Sequence, residues 1–141
     1  MHISPLRAYE TVNKTTMSGR EIEAAVLNQA ALKLKECQDN WNSDDHVDRL
    51  DAALNFNQQI WSILQGELVK ADNPLPQQIR QNLLALSAYV DKRIFEIMAF
   101  PSPEKLNIVI DINRNIAAGL MQTASDERQP AIAHNKKNHS V

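Results

Sequence analysis

The sequence predicts an all-α protein, a small bundle of four long helices plus a short N-terminal one. Three observations carry this. There are only 3 glycines and few β-branched runs in 141 residues. Most of the prolines fall at the edges of periodic stretches or outside them. Within those stretches the apolar residues recur at three- and four-residue intervals, the period of a helix buried along one face.

The clearest seam runs through Val47, Leu50, Leu54, Trp61, Leu64 and Leu68, with Asn57 at the position between Leu54 and Trp61. A second stretch repeats it. Leu50, Leu54, Phe56, Asn57, Ile60 and Leu64 correspond to Leu106, Ile110, Ile112, Asn113, Ile116 and Leu120, every pair at the same offset. Both read L-x3-[LI]-x-[FI]-N-x2-I-x3-L. Two similar helices, each with an asparagine in its apolar face, are expected to lie side by side.

The elements follow in order. Pro5 opens a short helix to about Asn13, with Leu6, Tyr9 and Val12 on one face. Ser18-Gly19-Arg20-Glu21 reads as a capping box for a helix over about 19–39. Its stripes are Ile22, Val26 and Ala30, then Leu27, Ala31, Leu34 and Cys37. Trp41 is available to pin the loop that follows. Ser43 or Asp44 is expected to cap the third helix, where Asp44, Asp45 and Asp48 complement the helix dipole. That helix continues to about Ala71. Asn73-Pro74-Leu75-Pro76 stops it and forms a rigid corner, because two prolines a residue apart fix two φ angles. Leu75, between them, either packs inward or awaits a partner.

The fourth helix runs over about 76–99 with the seam Ile79, Leu83, Leu86, Val90, Ile94 and Ile97. Pro101-Ser102-Pro103 separates it from the fifth, whose face is Leu106, Val109, Ile110, Asn113, Ile116, Ala117 and Leu120. Short connections between long helices favour antiparallel neighbours. The apolar periodicity ends near Gln122. Residues 1–122 are thus expected to form one helical domain, and 123–141 a polar, disordered tail. Leu54, Trp61, Leu64, Leu83, Leu86, Val90, Ile110 and Ile116 are the expected core.

Composition narrows the function. A net charge of −2 and a pI near 6.1 give no basic signature, so direct nucleic-acid binding is not expected. No apolar run reaches the roughly 18 residues of a membrane span, and the N-terminus lacks a signal-peptide core; the chain reads as cytoplasmic. The lone Cys37 agrees and reads as a small buried hydrophobe. No G-x-S-x-G, Gly-rich phosphate loop, H-E-x-x-H or C-x-x-C is present, and the four histidines lie near the termini or at a helix start. The acids around His46 read as helix-capping residues rather than metal ligands. No catalytic, metal or cofactor site is expected. The polar residues that stand out are Asn57 and Asn113: they either bond each other or nearby backbone and fix helix register, or one of them bonds a partner's main chain.

At these residues the chain resembles the flagellar biosynthesis regulator FlaF family. The carrying pieces are Tyr9, Arg20-Glu21-Ile22-Glu23-Ala24, Ala53-Leu54-x-x-Asn57-x-x-Ile60-Trp61, Asn73-Pro74-Leu75-Pro76 with Ile79-Arg80, and Ile112-Asn113-x-x-Ile116-Ala117-x-Gly119-Leu120. The resemblance implies a small helical cytoplasmic protein, without catalysis or cofactor, needed for flagellin production and export. It implies a flagellin-binding secretion chaperone working with the companion regulator FlbT. The alternative is a post-transcriptional regulator acting on flagellin mRNA directly or through FlbT.

A chaperone of that kind covers amphipathic helices of its client, and the sequence offers one place for them. Phe56, Ile60 and Ile63 form a second stripe beside the main seam of the third helix, as Ile108 and Ile112 do on the fifth. Either both helices are covered on two sides, or this second stripe lines a groove open to a partner helix. These five residues are the expected flagellin contacts. Asn57, Trp61, Asn113 and the corner Asn73, Pro74, Leu75 and Pro76 are the expected structural motif.

Overall fold

The computed structural model describes Pro5 and residues 19–128. Apart from its buried first residue, the short helix expected over residues 5–13 lies outside them, as does Ser18 of the expected capping box. The described residues form four long helices: α1, Gly19–Asp39; α2, His46–Leu68; α3, Gln77–Ala99; and α4, Leu106–Arg128. A single 3-10 turn, Pro103–Lys105, leads into α4. Among the described residues there is no strand, and no helix is long and apolar enough to cross a membrane.

The helices pack as an antiparallel ring. Extensive contacts join α1 to α4 and α2, and α2 to α3; α3 and α4 close the ring only lightly. Side chains fix the pairings. Gln38 at the end of α1 donates through Nε2 to the Pro103 carbonyl (2.9 Å) and to Asn107 Oδ1 (2.6 Å) at the start of α4. Gln65 of α2 donates to Ser87 Oγ (2.9 Å) and Asp91 Oδ2 (3.1 Å) of α3. The core is filled by Leu27, Leu34, Leu54, Ile60, Trp61, Ile94, Ile97, Leu106 and Val109, all but sealed from solvent. Burying each of the aliphatic ones contributes about 1.5–3 kcal/mol.

The repeated segments do not lie side by side as ring neighbours. They face each other across the core as the parallel diagonal pair α2 and α4, and they meet in register. Asn113 Nδ2 donates to Asn57 Oδ1 at 2.6 Å, joining equivalent positions of the repeat.

Seven expectations change on contact with the packing. Leu83, Leu86 and Ile116 are half-buried rather than core, and Ile79 and Val47 are exposed. The reason for Leu83, Leu86 and Ile79 is that α3 makes its tight contacts through Ser87, Val90, Ile94 and Ile97, and its first turns stand away from the body. The helix expected to fade near Gln122 continues to Arg128, with Ala124 buried. Alanine has no side-chain entropy to lose in a helix, so it extends α4 without an apolar stripe to announce it. Asp45, not Ser43 or Asp44, is the N-cap of α2. Its carboxylate makes no cap bond; it accepts from Arg49 Nε (2.8 Å) and Ser43 Oγ (2.8 Å).

Candidate partner-binding site

The centre of the molecule is a polar chain sealed in apolar surroundings. Trp61 Nε1 donates to Asn113 Oδ1 at 2.9 Å. Asn113 then donates to Asn57, as above. Asn57 Nδ2 in turn donates to the Ala30 carbonyl of α1 (3.1 Å) and to the Ala53 carbonyl of its own helix (2.9 Å). Both asparagines and the tryptophan are essentially without solvent exposure. The asparagines therefore do bond each other and nearby backbone, and they tie three helices together at one level. With their amides already engaged inside the core, they present nothing to a partner's main chain.

Below this level, toward the end of α2, the bundle opens into a narrow, nearly filled apolar groove whose free volume is only about 20 Å³. Trp61, Leu64 and Leu68 of α2 line it together with Ile116 and Leu120 of α4, Leu83 of α3, Leu75 of the corner and Glu23 of α1. Glu23 is paired with Arg20 Nη1 at 3.1 Å, both side chains largely buried.

The corner that bounds the groove is built by Asn73. Its Nδ2 donates to the Glu67 carbonyl (2.9 Å), which also accepts from the Lys70 backbone N–H (3.3 Å), so that oxygen at the end of α2 is bonded twice. Its Oδ1 accepts from the Leu75 backbone N–H (3.0 Å), an Asx turn that sets the chain for Pro76 and α3. Leu75 is half-buried, packed into the groove wall and still partly open to solvent. Arg80 stands one turn before Leu83. It reaches back to the Lys70 carbonyl (3.3 Å), while its Nε is buried without an acceptor.

The five expected partner contacts are divided by the structure. Phe56 and Ile60 are buried in the core. α1 covers that side of α2, and its Lys33 ammonium sits 4.9 Å above the Phe56 ring. Ile63 is half-buried, and Ile112 is half-buried against the core. Ile108 alone is exposed, at 40%. It lines a separate cleft between α3 and α4 with Tyr89, Arg93, Glu96 and Ile97. The wide apolar face of α2 thus arises because α1 and α3 both pack on it. No single groove contains the five.

Among the described residues no three metal-ligating side chains cluster. Cys37 is buried, and burial pushes its thiol above the ordinary range.

The family profile described as flagellar protein FlaF matches residues 5–120. The chain belongs to the FlaF family. No curated protein and no solved structure matches it. FlaF membership gives the chain a role in flagellar biogenesis and its regulation, with partners in the flagellar system. It also gives the groove weight. Glu23, Trp61, Leu75, Ile116 and Leu120 belong to motif pieces on α1, α2, α4 and the corner, and they converge on its walls. Sequence reasoning took these motif residues as structural. The available sign was that Trp61 and Ile116 lie one helical turn or less beyond the seam asparagines Asn57 and Asn113.

Proposed function

We propose that the protein is a cytoplasmic, non-enzymatic flagellin chaperone, which receives an amphipathic helix of flagellin in the corner groove and supports flagellin synthesis and export alongside FlbT. The observation that carries this reading is the convergence of the family's motif residues on one apolar groove. Helix-in-groove recognition needs an apolar trough with few polar groups at its rim, and here the rim is Glu23 with its partner Arg20. Arg80, bonded to the Lys70 carbonyl at 3.3 Å beside the corner, adds a cation that a guest's carbonyl or carboxylate would meet.

The test is co-purification of flagellin, and of flagellin truncated at either end, with Leu75→Asp, Arg80→Gln and Ile108→Asp variants. Leu75→Asp is expected to abolish capture and Arg80→Gln to weaken it, with helicity and melting near those of the parent. Ile108→Asp is expected to retain capture. Loss with Ile108→Asp and retention with Leu75→Asp would move the docking site to the α3–α4 cleft. Failure of the unaltered protein to bind flagellin would overturn the reading itself.

A further inference from the structure

The face of α3 turned toward α4 carries an arrangement that the flagellin reading does not use. Tyr89, Arg93 and Glu96 follow one another at intervals of four and three and form one stripe, and Phe100, four residues on, caps its end with a non-helical backbone. Tyr89 is 39% exposed and Phe100 74%. Arg93 and Glu96, between them, form an ion pair with each other, both side chains open to solvent. Beside this stripe lies the shallow cleft lined by Tyr89, Ile97 and Ile108, rimmed by Glu104 and Lys105. Phe100 is not part of its own cleft; it projects past the end of the helix it caps.

The stripe is self-complementary. Let a two-fold axis cross α3 midway between Ile94 and Phe95, setting two copies of the helix antiparallel. Tyr89 of one copy then meets Phe100 of the other, and Arg93 meets Glu96, each pair occurring twice. The projecting Phe100 reaches the Tyr89 edge of the opposite cleft, beside Ile108. An isologous interface requires that a surface match itself under a two-fold rotation, residue i against j and j against i. An arbitrary exposed patch does not have that property. The rim charges are balanced as well, one acid and one base from α3 and one of each from the 3-10 turn. The geometry points to a homodimer formed through this face of α3, with a second copy of the chain as the occupant of the cleft.

Energetically the aromatic pair is the anchor and the charges set register. An aromatic side chain buried in a partner's pocket is the usual hot spot of an interface. Exposed ion pairs add little affinity but penalise misaligned or wrong partners. In the single chain the two rings are partly shielded by their own cations, Arg93 4.9 Å from the Tyr89 ring and Lys105 5.8 Å from that of Phe100. The dimer exchanges this cover for ring contact.

Sedimentation equilibrium of the full chain, without flagellin, tests the inference. The unaltered protein is expected to dimerise reversibly by high micromolar concentration. Phe100→Asp, at a site too exposed to threaten folding, is expected to weaken the dimer by about thirtyfold or more. The decisive arm uses charge. Arg93→Glu alone sets Glu against Glu at both contacts, and Glu96→Arg alone sets Arg against Arg, so each variant is expected to be monomeric. Mixed together they regain complementary pairs and are expected to form a heterodimer. A protein that stays monomeric over the whole range, or single variants that dimerise as the parent does, or a mixture that does not associate, overturns the proposal. None of these readouts depends on flagellin, so the chaperone reading can fail without it and it can fail without the chaperone reading.

Discussion

The buried Trp61–Asn113–Asn57 chain makes a sharp prediction about stability. Asn113→Ala removes one amide and strands two groups: the Trp61 Nε1–H that donated to its oxygen, and the Asn57 Oδ1 that accepted from its nitrogen. Neither can reach water, because all three side chains are sealed. A buried polar group left unpaired costs about 1–3 kcal/mol, so the substitution should cost roughly 2–6 kcal/mol. That is a large part of the 5–15 kcal/mol typical of a whole domain. Urea unfolding followed by circular dichroism would show it: at about 1–3 kcal/mol per molar urea, a loss of about 3 kcal/mol moves the midpoint by roughly 1–3 M. Trp61→Phe strands one group only, the Asn113 oxygen, and should cost less at this contact. The double variant is the stringent arm. Without the indole N–H there is nothing on Trp61 for Asn113→Ala to strand, so the two costs should fall well short of additive. An Asn113→Ala protein within about 0.5 kcal/mol of its parent, or strictly additive costs, would refute the account.

Two further outcomes follow from burial. Leu83→Ala, for which a core position would mean about 2–5 kcal/mol, should cost only about 1–2 kcal/mol because the side chain is half-buried in the groove wall; Leu54→Ala, fully sealed, should give the full loss in the same urea assay. Cys37 should resist alkylation at neutral pH in the native protein and react once denaturant is added. Its thiol is raised by burial, so the native state holds the proton more tightly than the unfolded chain. Its contribution is therefore complete below the ordinary thiol value of 9.0 and is lost as the pH climbs past it, which unfolding at increasing alkaline pH would detect.

The fold class and the number and order of the long helices were legible because each helix carries a period that only a helix buries. The asparagine pair was legible because a polar residue inside such a period must find a partner, and the repeat supplied one at the equivalent position. What the sequence did not reveal was which helices are neighbours. The repeat implied adjacency, yet Asn57 and Asn113 meet across the diagonal, through side chains long enough to span the core. That error propagated to the partner site. A wide apolar face has the same sequence whether a second helix of the chain covers it, as α1 covers Phe56, or a partner does. Ile108 stayed exposed for a reason no periodicity encodes: α3 and α4 close the ring without packing tightly. The groove was missed because its wall residues are drawn from four helices and a corner, so no local pattern contains it.

The two buried features divide the bundle unequally. The polar chain locks α1 through Ala30, α2 through Asn57 and Trp61, and α4 through Asn113, and it includes nothing from α3. α3 is also the least anchored helix: four of its residues are buried, against ten on α1 and nine on α2. Its first turns, where Ile79 is exposed and Leu83 and Leu86 are half-buried, are the ones that border the groove. If the groove receives a guest helix as proposed, the corner and the start of α3 are the parts of its wall with the fewest buried contacts to give up. The contacts given up are half-buried leucines, while the hydrogen-bonded centre and the α1–α4 packing stay intact. Local openings of low cost are drawn from segments with few buried contacts, and this segment fits that description. The same sequence thus fixes three helices by a costly, fully satisfied polar core and leaves the fourth adjustable beside the motif-lined groove, where a guest helix would need the room.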